Sequence, residues 1–81
     1  PPGTQTEVDF VIKRGRELIA IEVKASKEPN TQHLKGLRAI ADLKGLKRRI
    51  LIYPGNLDRR TEDGIEVLSM RSFVKLHSAG I

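Results

Sequence analysis

Three observations predict a small mixed α/β domain with elements in the order ββαβ(β)α. Two runs of β-branched and aromatic residues flank Gly15 and Arg16, apolar residues recur at helical spacing from residue 31, and the nearly unbroken apolar run Ile50-Leu51-Ile52-Tyr53 stops at Pro54-Gly55. A hairpin, a helix and a buried strand in that order imply a parallel crossover. Such crossovers are right-handed in nearly all proteins, which lays the helix on one face of the sheet.

The hairpin covers residues 7–24 and sets the chemistry. A two-residue loop with Gly15 in its first central position suits a type II′ turn and places Asp9 opposite Glu22 and Glu7 opposite Lys24. Side chains alternate along a strand, so these four project from one face, while Val8, Phe10, Ile12, Ile19, Ile21 and Val23 form the other. A slip of one residue would mix the acids into the apolar set, so the hydrophobic pattern supports this register. Two carboxylates set opposite one another repel. A divalent cation between them would offset that repulsion, and Mg²⁺ takes carboxylate, carbonyl and water oxygens. Lys24 would partly neutralise the pair in the cation's absence.

Beyond the hairpin, Pro29 biases Glu28 away from helix, and Asn30 or Thr31 can cap a helix over 31–44. Its inward stripe is Leu34, Leu37, Ile40 or Ala41, and Leu43; Lys35, Arg38 and Asp42 lie outside, and Gly45 stops it. A strand follows over 49–53, a polar mobile loop over 56–64, and a further strand over 65–68. Ser69 is expected to cap a last helix over 70–77 containing Met70, Phe73, Val74 and Leu76. Residues 1–6 read as a flexible leader, without Met, of a chain that is one excised domain over 1–81.

Composition narrows the partners. Fifteen Lys and Arg against ten Asp and Glu give a net charge of +5, which favours an anionic partner. With no cysteine and three aromatic residues in 81, the domain has neither disulfides nor a zinc cluster to supplement a small core, so association or membership of a larger protein is expected. No apolar run approaches the roughly 20 residues that span a bilayer, and there is no signal-peptide pattern; the reading is soluble and cytoplasmic.

Asp9 on one strand and Glu22-Val23-Lys24 on the next make a D…E-x-K spacing that resembles the PD-(D/E)XK nuclease superfamily. More specifically, Glu7 to Ile12, Ile19 to Ser26 and Leu34 to Arg38 are together similar to the C-terminal nuclease-like domain of prokaryotic AAA-type P-loop ATPases. The resemblance implies a restriction-endonuclease-like core. Glu7-Val8-Asp9 stands where that superfamily has its Pro-Asp pair, and the helix that normally precedes the first core strand is missing. It also implies catalytic roles for Asp9, Glu22 and Lys24. Asp9, Glu22 and the backbone carbonyl of Val23 would hold Mg²⁺ or Mn²⁺, and Lys24 would orient or activate the attacking water and stabilise the developing charge in phosphodiester hydrolysis. Glu7 and Gln32 are accessory candidates. The chain contains no P-loop, so an ATPase region would lie N-terminal to it.

Basic residues are the candidates for phosphate contact, with the backbone of DNA the expected target. Arg14 and Arg16 lie at the hairpin tip, and Lys27, Lys35 and Arg38 beside the helix; Lys13, Lys47, Arg48 and Arg49 extend the set. Two functions stay open, a Mg²⁺-dependent endodeoxyribonuclease and a non-cleaving module of the same fold that binds DNA or assembles an AAA-type ATPase. The bland alternative is a solvated strand face carrying salt bridges. Val11, Leu18 and Ala20 share the acid-bearing face while the helix over 31–44 is expected on the other. They would then form an uncovered patch that a homo-oligomer contact would bury. Ser26 has no base positioned to make it a nucleophile, and Tyr53 reads as core or as a hydrogen-bonding strand end.

Overall fold

Short branched-chain segments assemble into one five-stranded sheet with a helical segment on each face; the computed structural model describes residues 8–80. In chain order the elements are β1 (Phe10–Arg14), β2 (Glu17–Val23), α1 (Lys35–Ala39), β3 (Leu46–Tyr53), β4 (Arg59–Arg60), β5 (Ile65–Ser69) and α2 (Met70–Ser78). The strand order is β1-β2-β3-β5-β4. The inner strands β2, β3 and β5 run parallel, and β1 and β4 pair antiparallel at the two edges.

The hairpin register matches the pattern read from the sequence. Phe10 faces Ile21 and Arg14 faces Glu17. Gly15 takes φ of 63° while Arg16 keeps a negative φ, as a type II′ turn requires. Glu7 and its proposed pairing with Lys24 lie outside the described residues.

The faces differ from expectation. Leu34 and Leu37 pack with Ala20, Leu51, Tyr53, Ile65 and Val67, so α1 covers the acid-bearing face; Phe73 and Leu76 of α2 pack on Ile19, Ile21, Ile50 and Ile52. The expected uncovered patch therefore does not form: Ala20 is fully buried, and Val11, at the sheet edge, is 52% exposed. The reason is that β2 is apolar on both faces from Leu18 to Ile21, as inner strands of parallel sheets are, and alternation cannot then say which face a helix takes. Phe10, expected in the core, is 58% exposed on the edge strand. Val8 crosses to the Ala20 face because the chain bends at Asp9.

The helix expected over 31–44 is α-helical only over Lys35–Ala39. Before it, Leu34 N–H donates to the Thr31 carbonyl and Lys35 N–H to the Gln32 carbonyl, a tighter turn; after it, turns carry the chain to Gly45. Gly36 in the middle lowers helix propensity by about 1 kcal/mol relative to Ala, and no acid occupies the first turn. Asn30 does cap this region: its Oδ1 accepts from Gln32 N–H at 2.9 Å, and His33 Nδ1 accepts in return from Asn30 N–H at 3.0 Å.

The stretch expected as a mobile loop over 56–64 contains β4, which pairs Arg59 with Val67 and Arg60 with Glu66. It is anchored by Asp58, whose Oδ1 accepts from Ser69 N–H at 3.0 Å and whose Oδ2 accepts from the Ser72 hydroxyl. Ser69 caps α2 as expected, its Oγ accepting from Ser72 N–H at 3.1 Å. The tyrosine expected as core or strand-end hydrogen-bonder is both: Tyr53 is buried, and its hydroxyl donates to the Leu57 carbonyl at 2.5 Å.

Candidate functional site

At the far end of the hairpin the two acids do more than face each other. Asp9 N–H donates to Glu22 Oε1 at 3.0 Å, and Val23 N–H donates to Asp9 Oδ2 at 2.8 Å. Each carboxylate thus takes a backbone proton of the other's strand beyond the last paired residues, Phe10 and Ile21. Lys24, one residue past β2, brings Nζ to 3.1 Å from Glu22 Oε2. Glu22 is 4% exposed and Asp9 is exposed, so the site has one buried anion and one solvent-facing anion. Burying Glu22 is tolerable because it is hydrogen-bonded and ion-paired.

The three residues expected to act together, Asp9, Glu22 and Lys24, are therefore brought together. Among the described residues no group of three His, Cys, Asp or Glu side chains converges. The two carboxylates, brought from adjacent strands, are of the donor type that a hard cation keeping several waters takes, as Mg²⁺ does. Gln32 is exposed and its backbone N–H is engaged by Asn30; none of its hydrogen bonds reaches the acids.

The basic candidates divide. Arg16, Lys27 and Lys35 are exposed. Arg14 donates to the Gly80 carbonyl. Lys47 pairs with Glu17 at 3.1 Å, and Arg48 forms a two-pronged pair with Glu66 at 2.8 and 2.5 Å. That hydrogen bond to Glu66 raises the Arg48 pKa further against the opposing effect of burial. Arg49 reaches the carbonyls of Leu37 and Asp63. Arg48 and Arg49 thus hold the fold through partly buried contacts, whereas the Lys47 pair lies on the surface. Arg38 pairs with Asp63 at 3.0 and 3.4 Å. The Thr61 hydroxyl, with Arg38 second, lowers the Asp63 pKa to about 2.

Sequence reasoning missed Arg59 and Arg60, because a polar stretch rich in Asn, Asp and Gly reads as loop. The structure puts Arg59 in register with the candidate site: Glu22, Leu51, Val67 and Arg59 are successive partners across β2, β3, β5 and β4. Residues in such a row share a face, and three strand spacings separate its ends by roughly 14 Å. A doublet of arginines directly after an Asp, ahead of a strand, was the available signal.

Comparison with curated proteins and with solved structures returns no match. A family model described as a domain of unknown function (DUF4143) matches residues 3–73. The match covers most of the chain, which belongs to the DUF4143 family.

Proposed function

We propose that this domain is a nuclease-like module with a restriction-endonuclease-type core that hydrolyses phosphodiester bonds in nucleic acid, working beside an ATPase region N-terminal to it. The observation that carries the reading is the convergence of Asp9, Glu22 and Lys24 at the mouth of the hairpin. Asp9, Glu22 and the Val23 carbonyl would hold Mg²⁺ or Mn²⁺, which when bound supplies Lewis-acid stabilisation of phosphoryl charge and a more acidic water. The chain's own part is positional. Glu22, buried and held by Asp9 N–H, fixes the Lys24 ammonium through the 3.1 Å contact, and that ammonium is a point charge suited to orienting water and meeting the charge that develops on phosphate oxygens. Asp9 is exposed and anchored through Oδ2, so Oδ1 is the oxygen that would take a ligand.

A second reading is a non-cleaving module of the same fold that binds nucleic acid or assembles the ATPase. It is favoured by one observation: Asp9 Oδ2 and Glu22 Oε1 are already engaged by backbone N–H groups, so the acids also serve as strand-end locks. Calorimetric titration of Mg²⁺ and Mn²⁺ into wild type and Asp9→Ala, with a plasmid-nicking assay alongside, separates the two. Metal heat lost in the variant together with metal-dependent nicking by wild type supports hydrolysis. Binding of DNA without nicking at any metal concentration supports the module. Absence of metal binding, nicking and DNA binding overturns hydrolysis and nucleic-acid binding and favours a purely structural role.

A further inference from the structure

At the other end of the Glu22–Leu51–Val67–Arg59 row lies a cleft of about 720 Å³ between the turn at Asn30 and Thr31 and the β4–β5 hairpin. Arg38, Arg59 and Arg60 all line it, as do Thr31 and the carboxylates of Glu62 and Asp63, so three cations stand against two anions. Three guanidinium groups gathered on one concave surface repel unless anions compensate. Two of them are compensated within the chain: Arg38 by Asp63 at 3.0 Å, and Arg60 weakly by Glu66 at 4.0 Å. Arg59 is different. Among the described residues it pairs with no carboxylate, and its one hydrogen bond is a long one, 3.5 Å, to the carbonyl of Pro29, the residue before Asn30. That bond ties it to the α1 side of the cleft while leaving most of its donors open.

We infer that this cleft binds a backbone phosphate of nucleic acid, with Arg59 the principal contact and Arg60 and the Thr31 hydroxyl supporting it; the nucleic-acid occupant rests on the function proposed above. Arg59 presents the planar donor fork that matches phosphate oxygens two at a time. Asp63, which also lines the cleft, does not repel the ligand outright, because its carboxylate is turned to Arg38 and to the Thr61 hydroxyl at 2.6 Å. The row supplies the spacing. Roughly 14 Å between Glu22 and Arg59 is a span of only a few nucleotides along one strand, since successive phosphates lie farther apart than the axial rise between them. Leu51 and Val67, between the ends of the row, are fully buried beneath Leu34 and Leu37, so a strand would pass around α1 to reach the acids at one end and the arginines at the other. The arginine cleft would set where along the strand the acids act.

The test is fluorescence anisotropy of a labelled DNA duplex in EDTA, over a salt series, with wild type, Arg59→Gln, Arg59→Gln/Arg60→Gln and Asp9→Asn, and a calorimetric titration of pyrophosphate alongside. Thermal melts establish that each variant is folded; both arginines are exposed and glutamine preserves the stem. The expected result is about tenfold weaker duplex binding in the double variant, with the slope of log K against log salt reduced by about 2, whereas Asp9→Asn, which removes a negative charge, does not weaken binding. A folded double variant with wild-type affinity and slope overturns the cleft and leaves the proposed function standing. Pyrophosphate binding that is lost in Arg59→Gln, in a protein that binds no duplex, keeps the phosphate site and overturns the nucleic-acid reading. Absence of both overturns both.

Discussion

The two edges of the sheet are built to one plan. At one edge Asp9 immediately precedes β1, and its carboxylate accepts the N–H of Val23, the last residue of β2. At the other, Asp58 immediately precedes β4 and accepts the N–H of Ser69, the last residue of β5. Both edge strands are antiparallel to their neighbours, and the offset is the same. An aspartate at the mouth of an antiparallel edge pair is therefore a strand-end device in this fold, and by itself says nothing about chemistry. What separates the edges is the company each aspartate keeps. Asp58 has two serines, and the hydroxyl of Ser72 followed by the N–H of Ser69 lowers its pKa. Asp9 has a buried glutamate and a lysine. One arrangement starts a helix; the other concentrates charge.

The largest expected effect comes from breaking what the edges share. Leu51 is fully buried in the middle of the cross-sheet row, so Leu51→Ala should cost about 2–5 kcal/mol, seen as a lower denaturant midpoint and loss of function at both ends. Next, the twin aspartates should part company. Asp58→Ala removes acceptors from Ser69 and Ser72 at the start of α2 and should cost about 1–2 kcal/mol without altering Mg²⁺ titration. Asp9→Ala should cost less, about 0.5–1.5 kcal/mol, and abolish the metal heat. Equal metal responses in the two variants would erase the distinction.

A pH series sharpens the contrast further. Asp58 and Asp63 both titrate below their ordinary value of 3.8, Asp63 at about 2. A carboxylate depressed on folding stabilises fully above its unfolded pKa, and that contribution fades as pH falls through the folded one. The stability of wild type should therefore begin to fall near pH 4 and keep falling toward pH 2, and Asp58→Ala should show a shallower acid limb in urea unfolding. The smallest effect is local. Thr61→Ala should move the Asp63 carboxyl titration upward by NMR.

Much of this was legible in the amino-acid sequence, and the reasons are particular. The hairpin register was readable because Gly15 fixes a two-residue turn and the apolar alternation penalises slippage, so the meeting of Asp9 with Glu22 followed from local rules. The Ser69 cap was readable for the same kind of reason, a serine directly before an apolar helical stripe. Which face α1 covers was not, since Leu18 to Ile21 is apolar on both sides and both faces of β2 are in fact packed. The length of α1 was overestimated because its periodic leucines are held by the core while Gly36 and the turns on either side shorten the helix proper. Arg59 was out of reach because β4 is two residues long and exists only through its pairing with β5.

The exchange of N–H groups for carboxylate oxygens at the hairpin mouth has a consequence for measurement. A ligand that takes Asp9 Oδ2, and not only Oδ1, must loosen its grip on the Val23 amide, and that amide's deuterium uptake then quickens. Ser69, whose amide hangs on Asp58 in the same way at the opposite edge, supplies a matched clock inside the same molecule. At one pH and temperature, a rise in Val23 uptake relative to Ser69 marks such a ligand, so the chain carries its own gauge of whether the acids are in use.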